Sequence, residues 1–94
     1  MTVKIMIRRK VTNENAVELS TLLKKLRSLT LEQPGYISGE TLNRIDKTDE
    51  TMVISTWRSV EDWNRWVNDP KRAEVQHHID RLLGRETEYA MYST

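Results

Sequence analysis

The chain begins with a segment in which hydrophobic and charged residues alternate. On one parity the apolar residues are Val3, Ile5, Ile7 and Val11, and on the other the charged residues are Lys4, Arg8 and Lys10. Successive side chains of a strand point to opposite faces, so this alternation predicts a strand over 3–11. Met6 shares the parity of the charged residues, which indicates that the second face of the strand is also partly covered.

The next segment has the longer period of a helix. Its apolar residues recur at three- and four-residue spacing and are Ala16, Leu19, Leu22, Leu23, Leu26 and Leu29. This spacing predicts an amphipathic helix that begins behind a cap at Asn13 or Asn15. Pro34 and Gly35 are expected to end it.

Three later segments are rich in residues that favour strands. The segment 36–45 follows Gly35, and Gly39 within it indicates a bulge. A polar turn over 46–50 leads into 51–57, whose β-branched residues predict a central strand that is apolar on both faces. The run 85–94 is expected to form a closing strand.

Two helices are predicted between the third and fourth strands. Ser59 is placed as an N-cap with two carboxylates in the turn that follows it, where they complement the exposed N–H groups. Asp69 and Pro70 repeat the pattern of an N-cap followed by proline, so the first helix is expected to end near Val67. Gly84 is the expected C-cap of the second.

The resulting order, β-α-β-β-α-α-β, is that of the split βαβ arrangement in the ferredoxin-like α+β fold, with helices on one face of an antiparallel sheet. The other face has more apolar residues than a solvated surface should carry. These residues are Met6, Met52 or Val53, Met91 and Tyr92. We therefore expect a homodimer in which the sheets pack on each other.

Length, charge and cysteine content narrow the class of protein. The chain of 94 residues predicts a single domain over 1–94, and 15 Lys and Arg against 14 Asp and Glu lack the basic excess of a nucleic-acid-binding protein. There is no cysteine and therefore no disulfide or thiolate metal site. No signal sequence or membrane span is recognised, so a cytoplasmic protein with no membrane partner is expected.

All three tryptophans lie within ten residues, in WRSVEDWNRW, whereas the chain has no phenylalanine. On a helical wheel, Trp63 shares a stripe with Val60 and Val67 and is expected to be core. Trp66 lies on the flank of that stripe, and Trp57 ends a strand. Trp57 and Trp66 could therefore line a pocket for a flat ligand or simply cover the core.

The last helix contains both histidines of the chain. Its predicted inner residues are Val75, Ile79, Leu82 and Leu83. Gln76 lies toward one inner edge and His78 near the other, whereas His77 points away. Adjacent histidines cannot form a metal clamp on one helix face, and we expect no metal site. His78 is a candidate base, with a half-exposed surface residue as the plainer interpretation.

Polar residues on the predicted strands could serve a ligand cavity. Arg8, Asn43 and Arg44 could donate hydrogen bonds, and Tyr36 begins the second strand, although surface strands routinely carry such residues. A Ser-His-Asp arrangement, a glycine-rich phosphate loop and a carboxylate pair on one face are all missing. Hydrolase and phosphoryl-transfer functions therefore have no support.

Two stretches carry a family resemblance. EQPGYISGETL, followed by VISTWRSVEDWNRWVND with its strand-ending Trp, Ser cap and acidic first turn, resembles the antibiotic biosynthesis monooxygenase (ABM) superfamily. The likeness extends over nearly the whole chain. It implies a dimer of ferredoxin-like subunits, each with a pocket between sheet and helices, but it does not define the chemistry.

For the cofactor-free branch, the resemblance implies oxidation of an electron-rich quinol, phenol or anthrone by O2. The deprotonated substrate would transfer an electron to O2, and a hydroperoxide would then lose water to give a quinone. By resemblance, Trp57 and Trp66 would be walls of the slot. From their positions, Tyr36 and Gln76 are further candidates for binding the substrate. Arg8 and Asn43 would donate hydrogen bonds, and His78 would be the base. No cofactor is expected.

Two alternatives remain. In the haem-degrading branch, a Trp on the short helix distorts the haem, an Asn in the first strand assists, and a later His binds the iron. Trp66 matches, but the Asn is replaced by Arg8 or its neighbour, and the ligand position holds Gln76. The other alternative is a dimeric domain that binds a small molecule or merely dimerises, without turnover.

Overall fold

A computed structural model describes residues 2–94 and contains four strands and three α-helices within them. In chain order these are β1 (Val3–Lys10), α1 (Ala16–Leu31), β2 (Tyr36–Asn43), β3 (Glu50–Trp57), α2 (Val60–Val67), α3 (Pro70–Leu83) and β4 (Glu88–Ser93). A 3-10 helix, Asn13–Asn15, precedes α1.

The strands form one antiparallel sheet in the order β2-β3-β1-β4, with the helices on one face. This is the ferredoxin-like α+β arrangement, and it confirms the fold predicted from the order of the elements. β1 and β3 lie in the centre of the sheet. Their odd-numbered residues face the helices, as Val3 pairs with Trp57 and Ile5 with Ser55.

The helix caps agree with the sequence. Ser59 Oγ accepts a hydrogen bond from the Asp62 backbone N–H, and the Asp69 side chain accepts two at the start of α3. Gly84 ends α3 with φ of 69°, in the left-handed region that a residue without Cβ adopts most easily. At α1, by contrast, the Asn15 side chain makes no capping hydrogen bond to the helix.

The bulge in β2 lies between Tyr36 and Ser38, before the predicted position at Gly39. Gly39 is needed for a different reason. A Cβ atom there would lie 2.5 Å from the Tyr36 hydroxyl oxygen, which is closer than two such atoms can approach. The absence of a side chain at Gly39 therefore leaves the space that the Tyr36 phenol occupies.

The core has two clusters on the helix side of the sheet. The first contains the buried residues Val3, Ile5, Trp57, Trp63 and Trp66, and the second contains Leu19, Val75 and Ile79. Val75 and Ile79 occupy the inner face of α3, as predicted. Trp63 is in the core, as predicted, whereas Val60, which shares its stripe on the helical wheel, is 40% exposed because the short helix turns both of its indoles inward.

The opposite face of the sheet has an apolar centre. Met6, Met52 and Ile54 are half-buried there, and Leu42 and Tyr92 are more exposed. Val53 and Met91 do not belong to this face, because they pair with Ile7 and Ile5 on the helix side. We call the set Met6, Leu42, Met52, Ile54 and Tyr92 the outer apolar face.

No helix within residues 2–94 is long and apolar enough to cross a membrane.

Replacing Asp69 with alanine should lower the free energy of unfolding by about 1 kcal/mol, because two N–H groups at the start of α3 lose their acceptor. Urea denaturation followed by circular dichroism measures the change. Glu74→Ala is the matched control, since Glu74 is exposed on the same helix and should shift stability by less than about 0.5 kcal/mol. Equal losses in the two variants would contradict the capping role.

Candidate active site

A cavity of about 340 Å³ lies between α1 and the sheet. The sheet contributes residues of β1, β2 and β3, the opposite wall is α1, and α2 and α3 supply Trp63, Trp66 and Arg72. Pockets for small molecules in proteins typically have volumes of about 300–1,000 Å³. The space is therefore large enough for a small organic ligand.

Small side chains on the sheet leave this space open. Where β2 and β3 face α1, they carry Gly39, Thr41, Thr51 and Ser55 among the lining residues. Large apolar residues at these positions would fill the gap, as they do nearer to Val3. α1 packs more closely against α3 than against the sheet, which leaves a space between α1 and the sheet.

Aromatic side chains form part of the cavity wall. Trp63, Trp66 and Tyr36 line it, whereas Trp57 is fully buried behind them. The Trp57 ring packs edge-on against Tyr36 and Trp63, with centroid distances of 5.3 and 5.7 Å. The Trp57 indole N–H donates a hydrogen bond to Ser55 Oγ. Trp57 therefore supports the lining aromatic residues without itself reaching the cavity.

Arg9 is the most unusual residue of the lining. It lies on the helix-facing parity of β1 and is only 4% exposed. One of its terminal nitrogens donates to Gln76 Oε1 at 3.0 Å, and its buried Nε has no hydrogen-bond partner within residues 2–94. Burial lowers the pKa of this guanidinium, with the charge of Arg72 acting in the same direction.

Gln76 connects Arg9 to a buried polar chain. Its amide nitrogen donates to Thr87 Oγ1 at 2.7 Å and to Asp80 Oδ1 at 2.8 Å. The Thr87 hydroxyl donates to the same Asp80 oxygen. Asp80 therefore compensates the charge of Arg9 through the Gln76 amide, without direct contact.

A second buried guanidinium, that of Arg72, also lines the cavity and is 7% exposed. It donates to the Tyr89 hydroxyl and lies 5.6 Å from the Trp63 ring centroid and 5.4 Å from that of Tyr89. A cation over the face of an aromatic ring is attracted to it electrostatically. Asp69, which caps the helix that carries Arg72, thus helps to position this residue.

The residues predicted from the sequence are only partly brought together. Tyr36 and Trp66 line the cavity, and Gln76 lies just behind it, bonded to Arg9. Arg8 is on the opposite face of the sheet in an ion pair with Glu88 at 2.6 Å. Its position therefore gives no support to a role at this cavity.

The other two predicted catalytic residues are also outside the lining. Asn43 is exposed at the end of β2, and His78 is exposed on α3, as is His77. The elements that carry them, β2 and α3, do contribute to the lining of the cavity, but through other side chains. Sequence reasoning missed Arg9 and Arg72. The sequence does distinguish Arg9, because it is the charged residue among the apolar residues on one parity of β1.

Comparison with known proteins identifies the family. The family model described as antibiotic biosynthesis monooxygenase matches residues 2–78. The chain belongs to this family. No curated protein matches the sequence.

Solved structures share the ABM fold at low sequence identity. A conserved protein from Methanosarcina mazei Go1 is 18% identical, with a TM-score of 0.91 over 100% of this chain and 93% of that one. SnoaB from Streptomyces nogalater, described as a cofactor-independent oxygenase, is 19% identical, with a TM-score of 0.85 over 99% and 92%. Rv0793 from Mycobacterium tuberculosis is 17% identical, with a TM-score of 0.86 over 100% and 95%.

The residues of this ABM domain do not fit the haem alternative. Gln76 stands at the position of the expected iron ligand, and its amide oxygen and nitrogen are both occupied by hydrogen bonds. His77 and His78 are exposed and outside the cavity lining.

Gln76→Leu should lower the free energy of unfolding by about 2–3 kcal/mol, because the buried Arg9 guanidinium loses its hydrogen-bond acceptor within residues 2–94. Thermal or urea denaturation measures the loss. Gln33→Leu is the matched control: the half-buried Gln33 amide donates to the Leu29 carbonyl near the end of α1, where water can replace it, so the loss should stay below about 1 kcal/mol. A smaller loss at Gln76 than at Gln33 would contradict its role as partner of Arg9.

Proposed function

We propose that this ABM domain is a cofactor-independent monooxygenase that oxidises a small electron-rich phenol, quinol or anthrone in the cavity under α1. The observation that carries the proposal is the combination of Trp63, Trp66 and Tyr36 with the buried donor Arg9 around one cavity of about 340 Å³. Family membership and the fold shared with SnoaB are consistent with it.

The cavity is suited to a flat, mostly apolar guest. Leu19, Leu23 and Leu26 of α1 face Ile7 and Val53 of the sheet across it. An aromatic ring between these surfaces would be removed from water, and electrostatic interactions with it would be strengthened in the low-dielectric surroundings.

The positive charges around the cavity favour the ionised substrate. A phenol beside Arg9 and Arg72 has its anion stabilised, which lowers the pKa of the bound hydroxyl. This electrostatic effect is the contribution we assign to the protein, and it makes a dedicated base within the cavity unnecessary. The proton would leave to water.

The reaction balances with O2 as the oxidant. The phenolate transfers one electron to O2, and the resulting radical pair forms a carbon–oxygen bond at the ring position para to the hydroxyl. The peroxide takes up one proton. Loss of the ring hydrogen as a proton and cleavage of the O–O bond then release water and leave the quinone. For 1-naphthol, one O2 gives 1,4-naphthoquinone and one water.

Turnover is tested with 1-naphthol and anthrone under air, against a buffer control. Quinone should form faster with the protein, and with ¹⁸O2 one labelled oxygen should enter each quinone, since the other comes from the original hydroxyl or carbonyl. Binding without quinone formation would indicate the non-catalytic alternative. Quinone with no label would indicate an oxidase.

The site is tested by filling the cavity from α1. Leu23→Trp should lower kcat/KM about tenfold or more, because the indole occupies the space assigned to the substrate. Val17→Trp adds the same side chain to the solvent side of α1, where Val17 is 84% exposed, and should leave kcat/KM within about twofold. Equal activity in the two variants would remove the cavity from the mechanism.

We also propose that the domain forms a homodimer through the outer apolar face. Met6, Met52 and Ile54 are half-buried in a single chain, and Leu42 and Tyr92 extend the same surface. Packing a second sheet on this face would remove the remaining apolar area from water.

Light scattering at micromolar concentration should give twice the mass of one chain. Met52→Lys should give the monomer mass, because it introduces a charge in the centre of the interface. Val17→Lys makes a similar substitution on the opposite side of the molecule and should remain dimeric. A monomeric wild-type protein would contradict the dimer.

A further inference from the structure

The charged residues of the cavity are all of one sign. Arg9, Lys24, Arg27 and Arg72 line it, and no carboxylate does so within residues 2–94. The whole chain has a formal charge of only +1, so the positive charge is concentrated here rather than spread evenly. None of these four cations takes part in an ion pair among the described residues.

Two of the four cations that line the cavity are buried, which is unusual for charged side chains. Lys24 and Arg27 are exposed on α1, where a charge is readily solvated. Arg9 and Arg72 are 4% and 7% exposed. Burying a guanidinium is unfavourable unless it is paired or fully hydrogen-bonded. Arg72 is stabilised by Tyr89 and two aromatic faces, but Arg9 has much less compensation.

Arg9 has donors without acceptors. A guanidinium carries five N–H groups. Among residues 2–94, one of its nitrogens donates to Gln76, and no partner is found for the buried Nε. The Cα partner of Arg9 on β3 is Thr51, whose side chain also lines the cavity. The Arg9 side chain thus borders a space with room for a hydrogen-bond acceptor.

A carboxylate is the group that fits these donors best. It is planar, it stays ionised at neutral pH, and it accepts two parallel hydrogen bonds from one guanidinium. A phosphate group usually needs further backbone donors, such as a glycine-rich loop or a helix N-terminus. Arg9 is on a strand, where the backbone N–H groups are used in the sheet.

We propose that the ligand of this cavity is an aromatic carboxylate, with its ring against Trp63, Trp66 and Tyr36 and its carboxylate on Arg9. This inference rests on the proposed function and deepens it by naming the class of substrate. Arg9 is then a specificity-determining residue that holds the acid group, and the exposed Lys24 and Arg27 attract the anion toward the cavity.

The test compares 1-hydroxy-2-naphthoate with its methyl ester, which has the same ring and phenol but no negative charge on the acid group. Binding is measured without oxygen, by quenching of tryptophan fluorescence with inner-filter correction, and checked by calorimetry. The acid should bind about tenfold or more tightly than the ester, because only the acid forms an ion pair with Arg9. The ester keeps the phenol, so the comparison separates a carboxylate from a phenolate as the group recognised.

Arg9→Met then identifies the residue responsible. It should weaken binding of the acid about tenfold or more and that of the ester by less than about threefold. The fold should persist, since an apolar side chain of similar length replaces a poorly compensated buried charge. A thermal melt and near-ultraviolet circular dichroism check this, and Arg9→Lys, which keeps the charge, should restore part of the affinity for the acid.

Arg81→Met is the matched control, because Arg81 is an exposed arginine of α3 outside the cavity. It should leave both affinities within about twofold. Equal binding of acid and ester to the wild-type protein would overturn the inference and leave the proposed function standing. Failure of both ligands to bind would overturn both. Loss of acid binding with Arg8→Met instead of Arg9→Met would also overturn the inference.

Discussion

The burial of the Arg9 guanidinium constrains the whole helix side of the sheet. A positive charge at the centre of a small domain requires compensation, and the chain provides it indirectly. Gln76 accepts a hydrogen bond from Arg9 and donates hydrogen bonds to Asp80 and Thr87. These residues link the first strand, the last helix and the segment before the final strand. The arrangement therefore connects α3 to the sheet and holds the Arg9 guanidinium at the cavity.

On the same side of the sheet, the core is not packed everywhere. Near Val3 and Ile5, three indoles fill the space between sheet and helices. Farther along the strands, the sheet presents glycine and hydroxyl residues beneath α1, and an open volume remains. Filling that volume with apolar side chains would remove more surface from water and would be expected to stabilise the fold. The retained cavity, with an incompletely bonded cation in its wall, is typical of a site that is selected for binding rather than stability.

Some of the aromatic residues line the cavity, and one packs behind the others. Trp57 contacts Tyr36 and Trp63 from behind and is fully buried, whereas those two side chains and Trp66 form part of the lining. Gly39 leaves the space for the Tyr36 hydroxyl. A rigid aromatic wall of this kind positions a flat ligand with little loss of side-chain entropy, since the rings are already held in place by packing.

The sequence by itself determined the local structure. The period of two in β1, the period of a helix in α1, and the caps at Ser59, Asp69 and Gly84 depend on interactions between near neighbours in the chain, and the ferredoxin-like order of elements follows from them. The positions of Tyr36 and Trp66 at the cavity could also be predicted. Tertiary structure alone decided that Trp57 packs behind the cavity wall and that Val60 is exposed. It also decided that Arg8 and Arg9 lie on opposite faces of the sheet, so that Arg9 is at the cavity and Arg8 is not. The physical reason is that a helical wheel or a strand parity gives the relative directions of side chains within one element. Which direction meets an open space, a neighbouring indole or a buried amide depends on how distant segments pack.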